Sequence, residues 1–338
     1  MKINSLLAST FLALIAVFGF ATRSAHAMTI SPPDFNLTVN PGDVIRDVLH
    51  VYNEDPYPVS LKPSLQNFTF RSDDETSGSP DFYPADEVRN GHELADWITI
   101  EDDKAFTIGS GERVNISFTM TVPNDAQPGG HFGAIHVGTL QESQKDDGAQ
   151  IGVKAAASAL IFVRVNGDTR DELAVQSFFS NSRLYTRLPA DFTIRLSNGG
   201  TTHLIPVGNI FINDTFGRQV ASLEVNGSDK RRVLPGSIRR FEESWSRKRL
   251  PKTTSEYVQQ WRNYAFGHYT ATLVVNYGDG GAQKLISSTT DFWVIPWMVF
   301  VTILVVTTLL ILLLRAILRR YERNVINRYE SRKRQGKT

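Results

Sequence analysis

The 338-residue chain contains no cysteine, which excludes disulfides, thiolate metal sites and a cysteine-borne lipid anchor. Its 36 Lys and Arg nearly balance its 35 Asp and Glu. That balance hides a segregation: residues 28–166 carry a net −12, residues 167–291 a net +4 and residues 315–338 a net +7, an asymmetry that reflects differing surroundings or partners.

The chain opens with Met1-Lys2, an apolar stretch through Leu14-Ile15 and Val17-Phe18, and the small-x-small site Ala25-His26-Ala27. That pattern predicts a signal peptide over residues 1–27, removed before Met28. Exported eukaryotic domains ordinarily carry disulfides, so a cysteine-free ectodomain points to a bacterial surface. Beyond Met28 short alternating segments follow one another: 35–39, 44–52, 59–61, 68–70, 97–100, 106–108 and 114–122, then 131–140 and 159–165 across a polar loop at 141–150. Turn residues such as Asn40-Pro41-Gly42-Asp43 separate them. Many short strands between turns predict a β-sandwich for residues 28–166.

Residues 167–291 repeat the pattern, with strands at 173–179, 192–196, 204–207, 209–212, 220–225, 239–241, 269–275 and one from 289 into the final apolar run. Each half has a strand ending in Asn (Asn53, Asn198) and a Gly-Ser turn before a later strand (Gly109-Ser110, Gly236-Ser237). The expectation is an all-β chain of two tandem immunoglobulin-like sandwiches, hinged near Gly167-Asp168-Thr169. From Phe292 to Leu314 no charge occurs for 23 positions. As a helix that run reaches roughly 30 Å, a bilayer's hydrocarbon thickness, and predicts a transmembrane span over 292–314. Trp293 and Trp297 stand at its start and Arg315, Arg319 and Arg320 at its end, so the basic tail 315–338 is expected in the cytoplasm and the sandwiches outside it.

Several motifs mimic catalytic sites without completing them. His92-Glu93 lacks a second histidine four residues on, where Asp96 stands. The acids Asp73, Asp74, Glu75, Asp86 and Glu87 lack the spacing of a calcium loop. Leu250-Pro251-Lys252-Thr253-Thr254 lacks the final Gly of a sortase signal. No convergent acid, base or nucleophile is visible, so neither an enzyme nor a cofactor is expected. Five Asn-x-Ser/Thr sequons occur, at Asn36, Asn67, Asn115, Asn213 and Asn226. A basic cluster, Lys230, Arg231, Arg232, Arg239, Arg240, Arg247, Lys248, Arg249 and Lys252, reads either as a docking patch for a polyanion near the membrane or as a solvated hairpin rim. Nucleic acid is not an expected partner of an exported domain. Pro128-Gly129-Gly130 permits a tight reversal into His131-Phe132, serving structure alone or lining a glycan groove with those two side chains.

The Pro41-Gly-Asp turn, Val51-Tyr-Asn53, the Gly-Glu turn before Val114-Asn-Ile-Ser-Phe and the run from Val122 through Pro128-Gly-Gly-His-Phe132 to Ile135 resemble the WxL-interacting surface proteins of Gram-positive bacteria. That resemblance covers about 110 residues and implies a non-enzymatic surface role with peptidoglycan binding in the first domain; the second domain departs from the pattern. The expected function is a membrane-anchored binding or scaffold protein for cell-wall polymer or another surface protein. The alternative is a chaperone-like assembly factor for exported subunits, and strand addition is a binding mode open to either.

Overall fold

Pro32 and Pro33 set how the first sandwich begins. Neither has an N–H to give to a ladder. In the computed structural model, which describes residues 28–70, 79–145, 148–248, 250–251, 253–278 and 283–335, β1 (Met28–Ser31) therefore stops before them. β2 (Asp34–Val39) resumes after them in another sheet. β1 pairs antiparallel with β3 (Val44–Asn53), whereas β2 runs parallel to β10 (Gly148–Val165). The predicted signal peptide, Asp73, Asp74, Glu75, Arg249 and Lys252 lie outside the described residues.

The remaining strands of the first unit are β4 (Val59–Phe70), β5 (Pro80–Pro84), β6 (Ile98–Ile100), β7 (Phe106–Ile108), β8 (Arg113–Thr121) and β9 (Gly129–Lys145). They form one sheet of order β1-β3-β8-β6 and another of order β2-β10-β9-β4-β5, with β7 also on β4. Alternate residues point inward, as a pleated strand requires. Leu49, Val51, Ile116, Phe118 and Met120 thus meet Ile135, Val137, Ile161 and Val163 across the core. The opposite face of the larger sheet holds a second packed group, Phe68, Phe132 and Phe162, with ring centroids 5.4–6.0 Å apart.

The first unit comprises residues up to Thr69 and Pro80–Thr169; Phe70–Ser79 group with the second unit, whose main body runs from Arg170. That body contains β11 (Leu173–Ser180), β12 (Leu184–Tyr185), β13 (Ala190–Asn198), β14 (Val207–Asn213), β15 (Gln219–Val225), β16 (Ile238–Trp245), β17 (Gly267–Tyr277) and β18 (Lys284–Val294). The sheets run β11-β13-β16 and β12-β18-β17-β14-β15. The opening repeats that of the first unit: β11 pairs antiparallel with β13, then β12 crosses to lie parallel to β18. Both units are immunoglobulin-like sandwiches on one plan.

The paired asparagines explain part of that plan. The buried Asn53 amide donates to the carbonyls of Tyr57, Ile108 and Gly109, and the N–H of Gly111 donates to the Asn53 carbonyl. Buried Asn198 does the same work with Thr202 and Val233, and receives the N–H of Gly236. Each side chain satisfies loop carbonyls that burial would otherwise leave unpaired. Gly111 and Gly236 both take positive φ, +70° and +67°, which glycine adopts freely.

Two expectations shift. Residues 141–145 and 148–150 are strand rather than loop, because β9 and β10 continue their ladder outward as a two-stranded ribbon to Lys145 and Gly148. The apolar run from Phe292 also divides. Phe292 and Val294 are buried core residues of β18, Phe292 packing on Trp245, Tyr269 and Phe192, and Pro296 then ends the ladder. The long helix α2 (Trp297–Gln335) starts only afterwards, and within it Trp297–Asn324 is the one described helix long and apolar enough to cross a membrane. A short helix, α1 (Glu256–Arg262), precedes β17. Sequence reasoning missed it, although Ser255 followed by Glu256, with Tyr257 and Trp261 four apart, carried a helix-start signal.

Candidate functional site

The predicted groove residues lie at the root of the β9–β10 hairpin. Gly129, at φ +134°, pairs with Val165, and Phe132 with Phe162. The backbone of residues 92–93 closes over this root: Phe132 donates its N–H to the His92 carbonyl at 2.7 Å, and the His92 Nδ1 lies 2.6 Å from the Gly130 carbonyl. His131 and Phe132 are both buried, on opposite faces of β9. The His131 ring packs on Trp97 at 4.4 Å and its nitrogens face the carbonyls of Glu93 and Gln127. Pro128-Gly129-Gly130-His131-Phe132 therefore builds the hairpin's base, and the two side chains named for a glycan groove face protein instead.

From that base β9 and β10 pair continuously to Lys145 and Gly148, with one register shift between Ala155 and Ala157. β4 flanks β9 only from Asn67 to Leu61, opposite Gly133–Thr139. β2 flanks β10 only along Leu160–Val165. Among the described residues no strand pairs with residues 148–159 of β10 on the side away from β9. At about 3.4 Å per residue this open edge is on the order of 40 Å long. Among the described residues, every second residue along it presents an N–H and a C=O to which no strand is paired, the template on which another strand pairs. The segment contains no proline, and Lys154 is its only charged residue. Among the described residues the Ala155–Ala157 register shift is the irregularity along it.

The basic cluster separates once folded. Arg239 is buried, donates to the Arg232 carbonyl at 2.6 Å and has its pKa lowered to about 10 by burial, aided by the nearby charges of Arg231 and Arg232. Arg240 pairs with Glu242, its neighbour on β16, and Arg231 with Asp229 at 3.4 Å, its guanidinium also lying 5.2 Å from the Phe241 ring. Lys230, at φ +47°, stays exposed at the β15–β16 connection. Arg247 and Lys248 are exposed near α1, where the Lys248 backbone N–H donates to Asn263 Oδ1 at 2.7 Å. β16 therefore divides the described part of the predicted polyanion patch, with Lys230 to Arg240 at its start and Arg247 and Lys248 beyond its end, and Arg239 is withdrawn inside.

Two sequons are occupied structurally: Asn67 and Asn226 are buried and hydrogen-bonded to backbone, Asn67 accepting the N–H groups of Leu94 and Ala95. Of the predicted anchors, Trp293 is an exposed residue of β18 and Trp297 the first residue of α2, while Arg315, Arg319 and Arg320 are exposed along that helix.

No protein-family model matches the chain, and no curated protein sequence does. Similar solved structures include the class 5 fimbriae chaperone CfaA, with a TM-score of 0.36 at 11% identity over 78% of this chain and 98% of that one. Another is the CsuC–CsuE chaperone–tip subunit pre-assembly complex of Acinetobacter baumannii Csu pili, at 0.33 and 11%, covering 77% and 97%. The SafA pilin–SafB chaperone complex of Salmonella enterica gives 0.33 and 9%, covering 80% and 98%.

Proposed function

We propose that the chain is a membrane-anchored, extracytoplasmic binding protein that captures an extended segment of another exported protein by strand addition along β10, acting as an assembly factor rather than an enzyme. α2 spans the membrane with its basic end in the cytoplasm, as the dense Arg flank favours. The observation that carries the reading is the open edge of residues 148–159. Such an edge gains main-chain hydrogen bonds from a partner strand irrespective of that strand's sequence, and alternate side chains then set preference. A second partner class, peptidoglycan, follows from the resemblance in the first unit and is an arm of the same test.

Neighbouring residues of a strand aim their N–H groups to opposite sides, so Ile151→Pro and Gly152→Pro separate the two roles of β10. One removes an edge donor and the other a β9 ladder bond. The full-length protein, extracted in mild detergent from its native envelope, is expected to bring down an exported protein that the edge-side variant loses. If both variants keep the partner, or if wild type retains only purified peptidoglycan, strand addition on β10 is wrong.

A further inference from the structure

At the end of the second unit from which α2 emerges, large aromatic side chains point outward together. Tyr257 and Trp261 on α1 are 45% and 44% exposed, and Tyr264 and Phe266 just after it are 42% and 53% exposed. Four neighbouring aromatics left in water are a poor use of apolar surface, and grouped exposure of this kind marks a binding face.

Their occupant follows from what they touch. The Gln260 Oε1 accepts the N–H of Met298 at 3.0 Å, satisfying one orphan donor in the first turn of α2. Tyr257 OH lies 3.4 Å from Thr302 Oγ1, and the Phe266 ring lies 5.1 Å from that of Phe300. Thr302 is five residues beyond Trp297, about 7–8 Å along the helix axis. The aromatic group therefore stands beside the first turns of the very helix that runs on as the apolar segment to Asn324. Indole and phenol rings favour the boundary between headgroups and acyl chains, with the ring in apolar surroundings and its polar atom in water. Arg262 closes α1, and Arg218 and Arg247 line a groove with Tyr264 and Phe266. Of the nearby acids, Asp214 is paired with Arg218 at 2.8 Å and Glu256 with Arg187 at 2.7 Å.

We propose that α1 and the Tyr264–Phe266 segment after it form an interfacial foot that seats the second sandwich on the lipid surface. The unit would then stand on the bilayer by two attachments, the foot and α2, instead of hanging from α2 alone. This inference rests on α2 spanning the membrane.

The cysteine-free chain makes a clean test, because single cysteines can carry a spin label without background. Full-length Trp261→Cys and Phe266→Cys probe the foot, Leu309→Cys the span, and Ser228→Cys, exposed beyond the far end of β15, the water reference. In nanodiscs of phosphatidylethanolamine and phosphatidylglycerol, labels at 261 and 266 are expected to be several-fold less accessible to a water-soluble nickel chelate than the label at 228. Their oxygen accessibility should fall between those at 228 and 309. Labels at 261 and 266 that match 228 while 309 lies in hydrocarbon would overturn the foot and leave the span standing. Nickel access at 309 would overturn the spanning reading, and the foot with it.

Discussion

Asn53 and Asn198 show how much a single amide holds in this fold. Each donates to two or more loop carbonyls and accepts one backbone N–H, from Asp55 and Gly200 respectively. Truncation leaves those carbonyls buried without donors, so Asn198→Ala is expected to cost about 2–4 kcal/mol. Urea unfolding of the full-length protein measures it, and a loss within experimental scatter would show that the amide clamps nothing. These asparagines were legible as strand ends in the sequence because a turn must follow them. The burial of Arg239 was legible too, though unread: it alternates with Phe241 and Trp245 along β16, so period two turns it inward. The burial of His131 and Phe132 was not legible, because Pro-Gly-Gly makes the same reversal whether its neighbours face solvent or protein.

His92 and His136 add a pH dependence at this scale. Burial holds both below the ordinary value of 6.5. The unfolded chain therefore binds more protons than the folded one as pH falls below that value, and stability is lost through the window between the unfolded and folded pKa. The first unit should unfold more easily at about pH 5 than at about pH 7, and His136→Gln should shrink the difference. An unchanged pH slope in that variant would exclude His136 as a source.

Among the elements, β18 and α2 separate what the sequence joined. An uncharged run from 292 to 314 contains two environments, and hydropathy alone does not distinguish a core strand from a lipid-facing helix. Pro296 is the punctuation mark between them. Phe292→Ala is accordingly expected to cost the second unit about 3–5 kcal/mol, as for any buried aromatic, whereas Leu309→Ala should leave its unfolding unchanged. Equal effects of the two substitutions would contradict the division. The β9–β10 ribbon was misread for a different reason. Gln141-Glu-Ser-Gln-Lys145 has no apolar alternation, so periodicity carried no signal there. α1 escaped notice because seven residues give barely two turns of pattern.

Across the whole molecule, both sandwiches and the C-terminal helix could be read from alternation, turns and one apolar run, because each of these rests on local period. The open edge could not, since it depends on where β2 stops along β10. Two structural units with opposite net charge precede one helix long and apolar enough to cross a membrane. Under the proposed topology, alkaline carbonate washing should leave the full chain with the membranes, and a chain ending at Val294 should be released. Release of both would remove the anchor from the account.

The central claim is that residues 148–159 accept a strand. Hydrogen–deuterium exchange of the full-length protein, alone and with its co-purified partner, tests it at the backbone. The edge-facing amides of 148–159 should exchange at least about ten-fold more slowly in the complex. Unchanged exchange there, with protection appearing elsewhere on the chain, would contradict it.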